Sequence, residues 1–217
     1  MNRLLSGSFL TTNELLKLNF KSIGKNVLID RTVLIPNPLN IKIGNNVRID
    51  CNSILSASNN SEIILRNNVH LGPFSLLYGA DNHKIIFDNH SALAAGCKLY
   101  GRTENYDGRF LMNPTHNDED IELITGDIIL KKYATLGCDS VLFPNSTIPE
   151  GTVLGSKSLH TGKSKLEPWS IYAGTPIKFF RKRHRDCELL AEKYKNIDEN
   201  EYSLEDTKYI YCNNKLP

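Results

Sequence analysis

Side chains able to do acid–base or nucleophilic chemistry are sparse in this chain, and most are scattered. The six histidines, His70, His83, His90, His116, His160 and His184, come no closer together than His83 and His90. No metal-ligand cluster can be assembled from sequence neighbours, so no metal ligands are assigned. The five cysteines, Cys51, Cys97, Cys138, Cys187 and Cys212, include no Cys-x-x-Cys pair, which leaves zinc ribbons and thioredoxin-like redox chemistry unsupported. Their odd number and wide spacing fit reduced thiols in the cytoplasm. What stands out is residues 104–126, rich in Asn, Asp, Glu, Gly and Pro, which hold Glu104, Asn105, Tyr106, Asn113 and His116. A histidine, with an ordinary pKa of about 6.5, is well suited to take a proton at neutral pH. A glutamate needs partial burial to match it. Against His116 stands its setting, because a loop histidine in the polar run Thr-His-Asn-Asp-Glu-Asp is commonly just exposed.

The bulk numbers set limits on everything else. At 217 residues the chain is one large domain or one domain with small appendages. Its net charge of +2 gives no reason to expect a nucleic-acid partner. Hydrophobic and charged fractions of 40% and 23% are those of an ordinary globular protein. Apolar runs fall far short of the roughly 20 residues that span a bilayer, and residues 1–10 are too weakly apolar for a signal peptide.

The elements that must position any site are set by a period of six. Over residues 134–159 a branched aliphatic falls at Leu136, Leu142, Ile148 and Leu154, and a small residue follows each at Ser140, Ser146, Thr152 and Ser158. Neither a helix nor a flat strand sustains that period. A triangular coil of three short faces does, with one aliphatic buried per face and a small residue near each corner. The same beat runs through Ile23, Ile29, Ile35 and Ile41, then Ile43, Ile49 and Leu55, then Leu65, Leu71 and Leu77, then Phe87, Leu93 and Leu99. Short polar breaks at 57–62 and 80–84 fit corner bulges. Residues 104–126 are too long for a corner, and a loop of that length in a compact domain is commonly functional; regular coils resume after it, which predicts an extruded arm or lid. Thr11 and Glu14 form a capping-box pattern ahead of a short helix covering the open first coil. A second helix is expected over 186–194, with Leu189, Leu190 and Tyr194 on or near one face, and a peripheral tail over 196–217. The divisions are therefore a capping segment at 1–22, a solenoid at 23–180 carrying the arm, and a helix and tail at 181–217.

The beat, with the closing run Leu-Glu-Pro-Trp-Ser-Ile-Tyr-Ala-Gly-Thr-Pro-Ile-Lys at 166–178, resembles the hexapeptide-repeat acyltransferases. Members that acetylate sugars carry a similar Pro-Trp and Tyr-Ala-Gly-x-Pro segment after the last coil. The run Tyr-Gly-Arg-Thr-Glu-Asn-Tyr-Asp-Gly at 100–108, followed by Asn-Pro-Thr at 113–115, is similar to a subgroup of sugar acetyltransferases. The resemblance implies an all-β fold, a left-handed parallel β-helix, assembled as a homotrimer with active sites in the grooves between subunits. It implies acetyl-CoA as the acyl donor, lying beside the last coils. Gly137, Ser140, Gly155, Ser156, Lys157, Ser158, Thr175, Lys178 and Arg181 are the positions suited to hold it, although Gly and Ser there are also required simply to turn the corners. The acceptor it implies is a sugar of surface polysaccharide, either a nucleotide-linked amino sugar or a glycan hydroxyl, with Tyr100, Tyr106 and Asn113 as contacts.

Acyl transfer from a thioester needs a base for the attacking group and a donor to the developing oxyanion. Galactoside and maltose acetyltransferases use a histidine in the loop after a middle coil, and the matching stretch here, 101–107, has none. Three readings stay open. Glu104 is the base with Asn105 orienting the substrate; or His116 swings in from the arm; or the acceptor is an amine that arrives largely unprotonated. Three other functions also compete: a zinc enzyme of the carbonic-anhydrase branch, which the histidine spacing disfavours; a binding scaffold that has lost its chemistry; and an acetyltransferase for a non-sugar acceptor such as an antibiotic.

Overall fold

The computed structural model describes residues 9–194 apart from Asn59; the tail expected at 196–217 and Cys212 lie outside the described residues. The period of six appears as three parallel sheets wrapped around one narrow core, a β-solenoid. Among the described residues the sheets contain six, eight and five strands. On the first face Ser22 lies opposite Lys42, Lys42 opposite Ile64, Ile64 opposite Ile86, Ile86 opposite Ile129 and Ile129 opposite Thr147. Those offsets make successive coils of 20, 22, 22, 43 and 18 residues. The two bulges lengthen the coils of 22, and the arm doubles the fourth.

Apart from Ile35, the slots predicted to face inward do so. Leu136, Leu142, Ile148 and Leu154 are fully buried, and Ser140, Ser146, Thr152 and Ser158 are at most 1% exposed. Burying each branched aliphatic contributes roughly 1.5–3 kcal/mol. The small residues serve the corners: Ser75 and Ser158 donate to Gly72 and Gly155 carbonyls, each at 2.6 Å. Cys97 occupies the same kind of slot, and burial pushes its thiol up to about 11, as expected of a packing residue. After Leu154 the next inward slot holds His160, opposite Leu142 and 1% exposed.

The corners depend on backbone that L-residues seldom adopt. Asn26, Asn46, Asn68, His90, Tyr133, Gly151 and Trp169 stack in one column, all at φ between 53° and 65°. Asn tolerates that region through local hydrogen bonds, and the Asn26 amide donates to the Asn46 side-chain oxygen at 3.0 Å. A parallel ladder lies beside it, in which Asn45, Asn67 and Asn89 side chains accept the N–H groups of Lys25, Asn45 and Asn67 at 2.7, 2.8 and 2.9 Å. Higher in the column, aromatic residues meet instead: His90 stacks on Tyr133 at 5.2 Å, and Tyr133 contacts Trp169 at 5.8 Å with the rings tilted.

The ends depart from a uniform coil. Helix Thr12–Lys17 covers the open first coil through the predicted capping box, and Leu15 beneath it is 1% exposed. In the first coil the expected slot Ile35 is only partly buried, because Pro36 and Pro38 cannot supply ladder N–H groups and a short 3-10 helix, Pro38–Asn40, replaces the strand. At the other end strand Ser170–Ala173 turns back into an antiparallel strand, Lys178–Lys182, which carries the sheet just past the expected boundary at 180. The final helix, Cys187–Ala191, corrects the expected apolar face. Cys187 and Ala191 pack on Tyr133 and Trp169, whereas Leu189 and Leu190 are 75% and 62% exposed.

Candidate active site

The fourth coil opens at Gly101 and closes at Gly126, whose N–H donates to the Gly101 carbonyl at 3.0 Å. Everything between is extruded as the arm. Its root is an antiparallel pair, Arg102–Glu104 against Leu123–Thr125, with Thr103 opposite Ile124 and Glu104 opposite Leu123. Farther out Leu111 bridges to Ile121. The arm lies over the third face and encloses a cavity of about 660 Å³.

The cavity floor follows from strand alternation. Leu77, Leu99 and Leu142 point inward, so the next residue of each strand points out. Those residues are Tyr78, Tyr100 and Phe143, and they form an aromatic wall, with Tyr100 and Phe143 ring centroids 6.2 Å apart. The arm supplies the roof through Arg102, Thr103, Glu104 and Tyr106, and farther out through Asp118 and Ile121. The Arg102 guanidinium lies 4.8 Å over the Tyr78 ring and donates to its hydroxyl. The Tyr106 and Thr103 hydroxyls share a hydrogen bond of 2.5 Å. The arrangement offers a flat surface for a ring, one cation, and two carboxylates, Glu104 and Asp118, that can receive an amine.

The structure therefore brings Glu104, Tyr100 and Tyr106 together. It places the other expected arm residues differently. Asn105 does not line the cavity; its side-chain amide donates to Asp107 and Glu122 and its N–H to the Glu122 carbonyl at 2.9 Å, so it fastens the arm to itself. The neighbouring Asp107 is held below the ordinary carboxylate value by the Arg109 side chain. Asn113 and His116 are exposed on the outer arm, 3.4 Å from each other through Nδ2 and Nε2, and neither lines the cavity. Tyr78, Arg102, Phe143 and Asp118 escaped the sequence reading. Tyr78 carried a usable signal, since it follows Leu77 as Tyr100 follows Leu99 and the two tyrosines are in register.

The positions assigned to the acyl donor divide into two groups. Ser156, Lys157, Thr175, Lys178 and Arg181 are exposed at the closing end of the solenoid. The Thr175 hydroxyl donates to the Lys157 carbonyl at 2.9 Å and ties the closing segment to that corner. Gly137 and Gly155 lie partly buried between coils. Ser140 and Ser158 are different, because both are buried and both hydroxyls donate to the Gly155 carbonyl, at 3.0 and 2.6 Å. Their side chains face the core, in the corner-turning role that small residues at those slots also serve.

None of the remaining histidines lines the cavity. His70 Nε2 meets Asp50 Oδ2 at 2.8 Å on the outside of the second face. His90 stacks on Tyr133, and burial lowers the pKa of His160 below its ordinary value. His83 contacts Thr125 and Asp127 at the arm root, at 3.1 and 3.2 Å. Among the described residues no group of three or more His, Cys, Asp and Glu is placed to hold a metal ion, and no helix is long and apolar enough to cross a membrane.

Comparison with known proteins agrees with this picture. No family model matches the chain. A dTDP-4-amino-4,6-dideoxy-D-glucose acyltransferase of Escherichia coli is 27% identical over 188 residues, covering 87% of this chain and 95% of that protein. AntD, an N-acyltransferase from Bacillus cereus, has been solved as a variant with dTDP-4-amino-4,6-dideoxyglucose and coenzyme A. It superposes with a TM-score of 0.80 at 33% identity, covering 88% of this chain and 98% of that one. The same enzyme has been solved with dTDP and 3-hydroxybutyryl-CoA. A hexapeptide-repeat acetyltransferase from Vibrio cholerae, in complex with acetyl coenzyme A, shares the fold at 16% identity, with a TM-score of 0.54 and 83% and 82% of the two chains covered.

Proposed function

The chain belongs to the hexapeptide-repeat acyltransferases and is an acyl-CoA-dependent enzyme; from that premise we propose that it acylates the amine of a dTDP-linked 4-amino-4,6-dideoxy sugar. The observation that carries this reading is the arm-roofed cavity, in which an aromatic wall faces two carboxylates and no histidine. An amine is a better nucleophile than a hydroxyl and is recognised by carboxylates, so it needs less help from a base. Glu104 receives the N–H of the attacking amine, with Asp118 as the second acidic contact. The nitrogen attacks the thioester carbonyl, a C–N bond forms as the C–S bond breaks, and the proton lost by nitrogen ends on the departing thiolate. Tyr100 and Tyr106 contact the sugar-nucleotide.

Bound acyl-CoA supplies the activated acyl group, proposed to be acetyl. The exposed hydroxyls and cations of the closing end, Ser156, Lys157, Thr175, Lys178 and Arg181, suit its polar arm and phosphates; at Gly137 and Gly155 the place of a Cβ is taken by the neighbouring coil, so those two would contribute through their backbone. The reading includes a homotrimer, because flat solenoid faces pack side by side under cyclic symmetry. It also includes a place in the cytoplasm, where both substrates are made, and a role in building surface polysaccharide. Sedimentation should give three times the chain mass of 24.5 kDa; a monomer at micromolar concentration refutes the assembly. The activity is tested by mixing purified protein, acetyl-CoA and dTDP-4-amino-4,6-dideoxyglucose. The expected result is one thiol released per N-acetyl sugar formed, and release that does not depend on the amino sugar sinks the proposal.

A further inference from the structure

At the arm root a single imidazole joins two parts of the molecule. His83 sits in the bulge at 80–84, one coil below the arm. Its Nε2 meets the Thr125 hydroxyl at 3.1 Å and its Nδ1 meets Asp127 Oδ1 at 3.2 Å. Thr125 ends the returning strand of the arm, opposite Arg102. Asp127 Oδ1 also accepts the Lys84 N–H at 2.8 Å, so this carboxylate is fixed to the same bulge as the imidazole. One ring nitrogen therefore holds the arm, while the other is braced on the solenoid. The order hydroxyl, imidazole, carboxylate is that of a hydrolytic triad, but Thr125 does not line the cavity and has no place for a substrate carbonyl beside it. Other ties at the root are the Gly126–Gly101 hydrogen bond, the Arg102 donation to the Tyr78 hydroxyl, and a long bond, 3.4 Å, from the Asn145 amide to the Thr125 carbonyl.

We infer that His83 is a positioning residue for acyl transfer: by holding Thr125 it fixes the strand pair that carries Arg102 and Glu104 over the aromatic wall. This rests on the reading that the cavity receives the acceptor. The lever is short, since Glu104 lies two residues along from Arg102, whose strand partner His83 grips. A displacement of about 1 Å at a reacting group costs on the order of a hundredfold in rate, so a small swing of the arm is enough to matter.

Three substitutions separate the two bonds of the ring. His83→Ala removes both. In His83→Gln the side-chain amide reaches the place of Nε2 and keeps the bond to the arm. In His83→Asn the amide takes the place of Nδ1 and keeps only the bond to Asp127. Two readouts are taken, steady-state kinetics and hydrogen exchange at the Asn105 and Leu111 amides, which bond to the Glu122 and Asp120 carbonyls inside the arm. His83→Ala and His83→Asn should exchange these amides at least tenfold faster and raise the acceptor KM at least tenfold, with acyl-CoA KM and melting temperature unchanged. His83→Gln should restore both readouts. Unchanged exchange in His83→Ala overturns the latch whatever the acceptor is. Faster exchange with an unmoved acceptor KM overturns the cavity as the acceptor's place, and with it the positioning role. A fall in melting temperature with both KM values rising together marks a merely structural residue and also overturns it.

Discussion

Glu104 and His116 were rivals in the sequence because type and loop placement were all that distinguished them. The arm folds so that Glu104 lines the cavity while His116 stays outside it, which under the proposed function favours Glu104 as the group within reach of the acceptor. Glu104→Gln should lower kcat/KM for the amino sugar by about 10²–10⁴-fold, the usual contribution of a positioned base, while His116→Ala stays near wild type. The reverse pattern, read in the same thiol-release assay, would return the histidine to the mechanism. A second carboxylate matters for stability. Desolvation alone would raise the pKa of Glu62, but hydrogen bonds from Lys21 and Lys42 outweigh it and hold the group at about 2 instead of 4.5. A carboxylate with a depressed folded pKa contributes stability that is full above the unfolded value and lost as pH falls through the folded one. The melting-temperature gap between wild type and Glu62→Gln should therefore be largest near neutral pH and close between pH 4.5 and about 2. A gap that is constant across that window would show that the ion pairs contribute nothing.

At the level of elements, the arm is an insert that starts and ends at the same place. Because Gly101 and Gly126 are joined by one hydrogen bond, replacing 103–124 with a two-residue turn should leave the solenoid folded and coenzyme A binding intact, while abolishing acceptor binding. Circular dichroism and titration calorimetry check both halves, and loss of coenzyme A affinity would place the donor site under the arm. The sequence showed that the coil is interrupted here, because a break in a period is visible, but it set the start at 104 where the paired root begins at Arg102. It did not show the pairing of 102–104 with 123–125, since those strands meet across a polar stretch with no period of its own. The final helix was misjudged for a related reason. Helical spacing singles out the most apolar side chains, Leu189 and Leu190, but the partner surface is the aromatic corner of Tyr133 and Trp169, and Cys187 and Ala191 are what pack there. The inward slots were legible because burial repeats with the chain. The cavity wall was only half legible, since Tyr78 and Phe143 take their meaning from neighbours a full coil away.

Across the whole molecule, each coil of the solenoid bears mainly on the coil before it and the coil after it, so stability is close to a sum of nearest-neighbour terms, with the Tyr133–Trp169 contact across Gly151 reaching one coil farther. Cooperativity then comes chiefly from the continuity of the core column and the asparagine ladders. The unequal coil lengths give this arrangement a mechanical signature. Held between two beads and stretched end to end, the chain should peel coil by coil from its weaker end, and each event should release the contour of one coil. At about 3.5 Å per extended residue, the coils of 18–22 residues would lengthen the tether by roughly 6–8 nm, and the coil of 43 by roughly 15 nm. The arm would thus be seen as one long stride in an otherwise even staircase, and the position of that stride in the force trace would report from which end the peeling began.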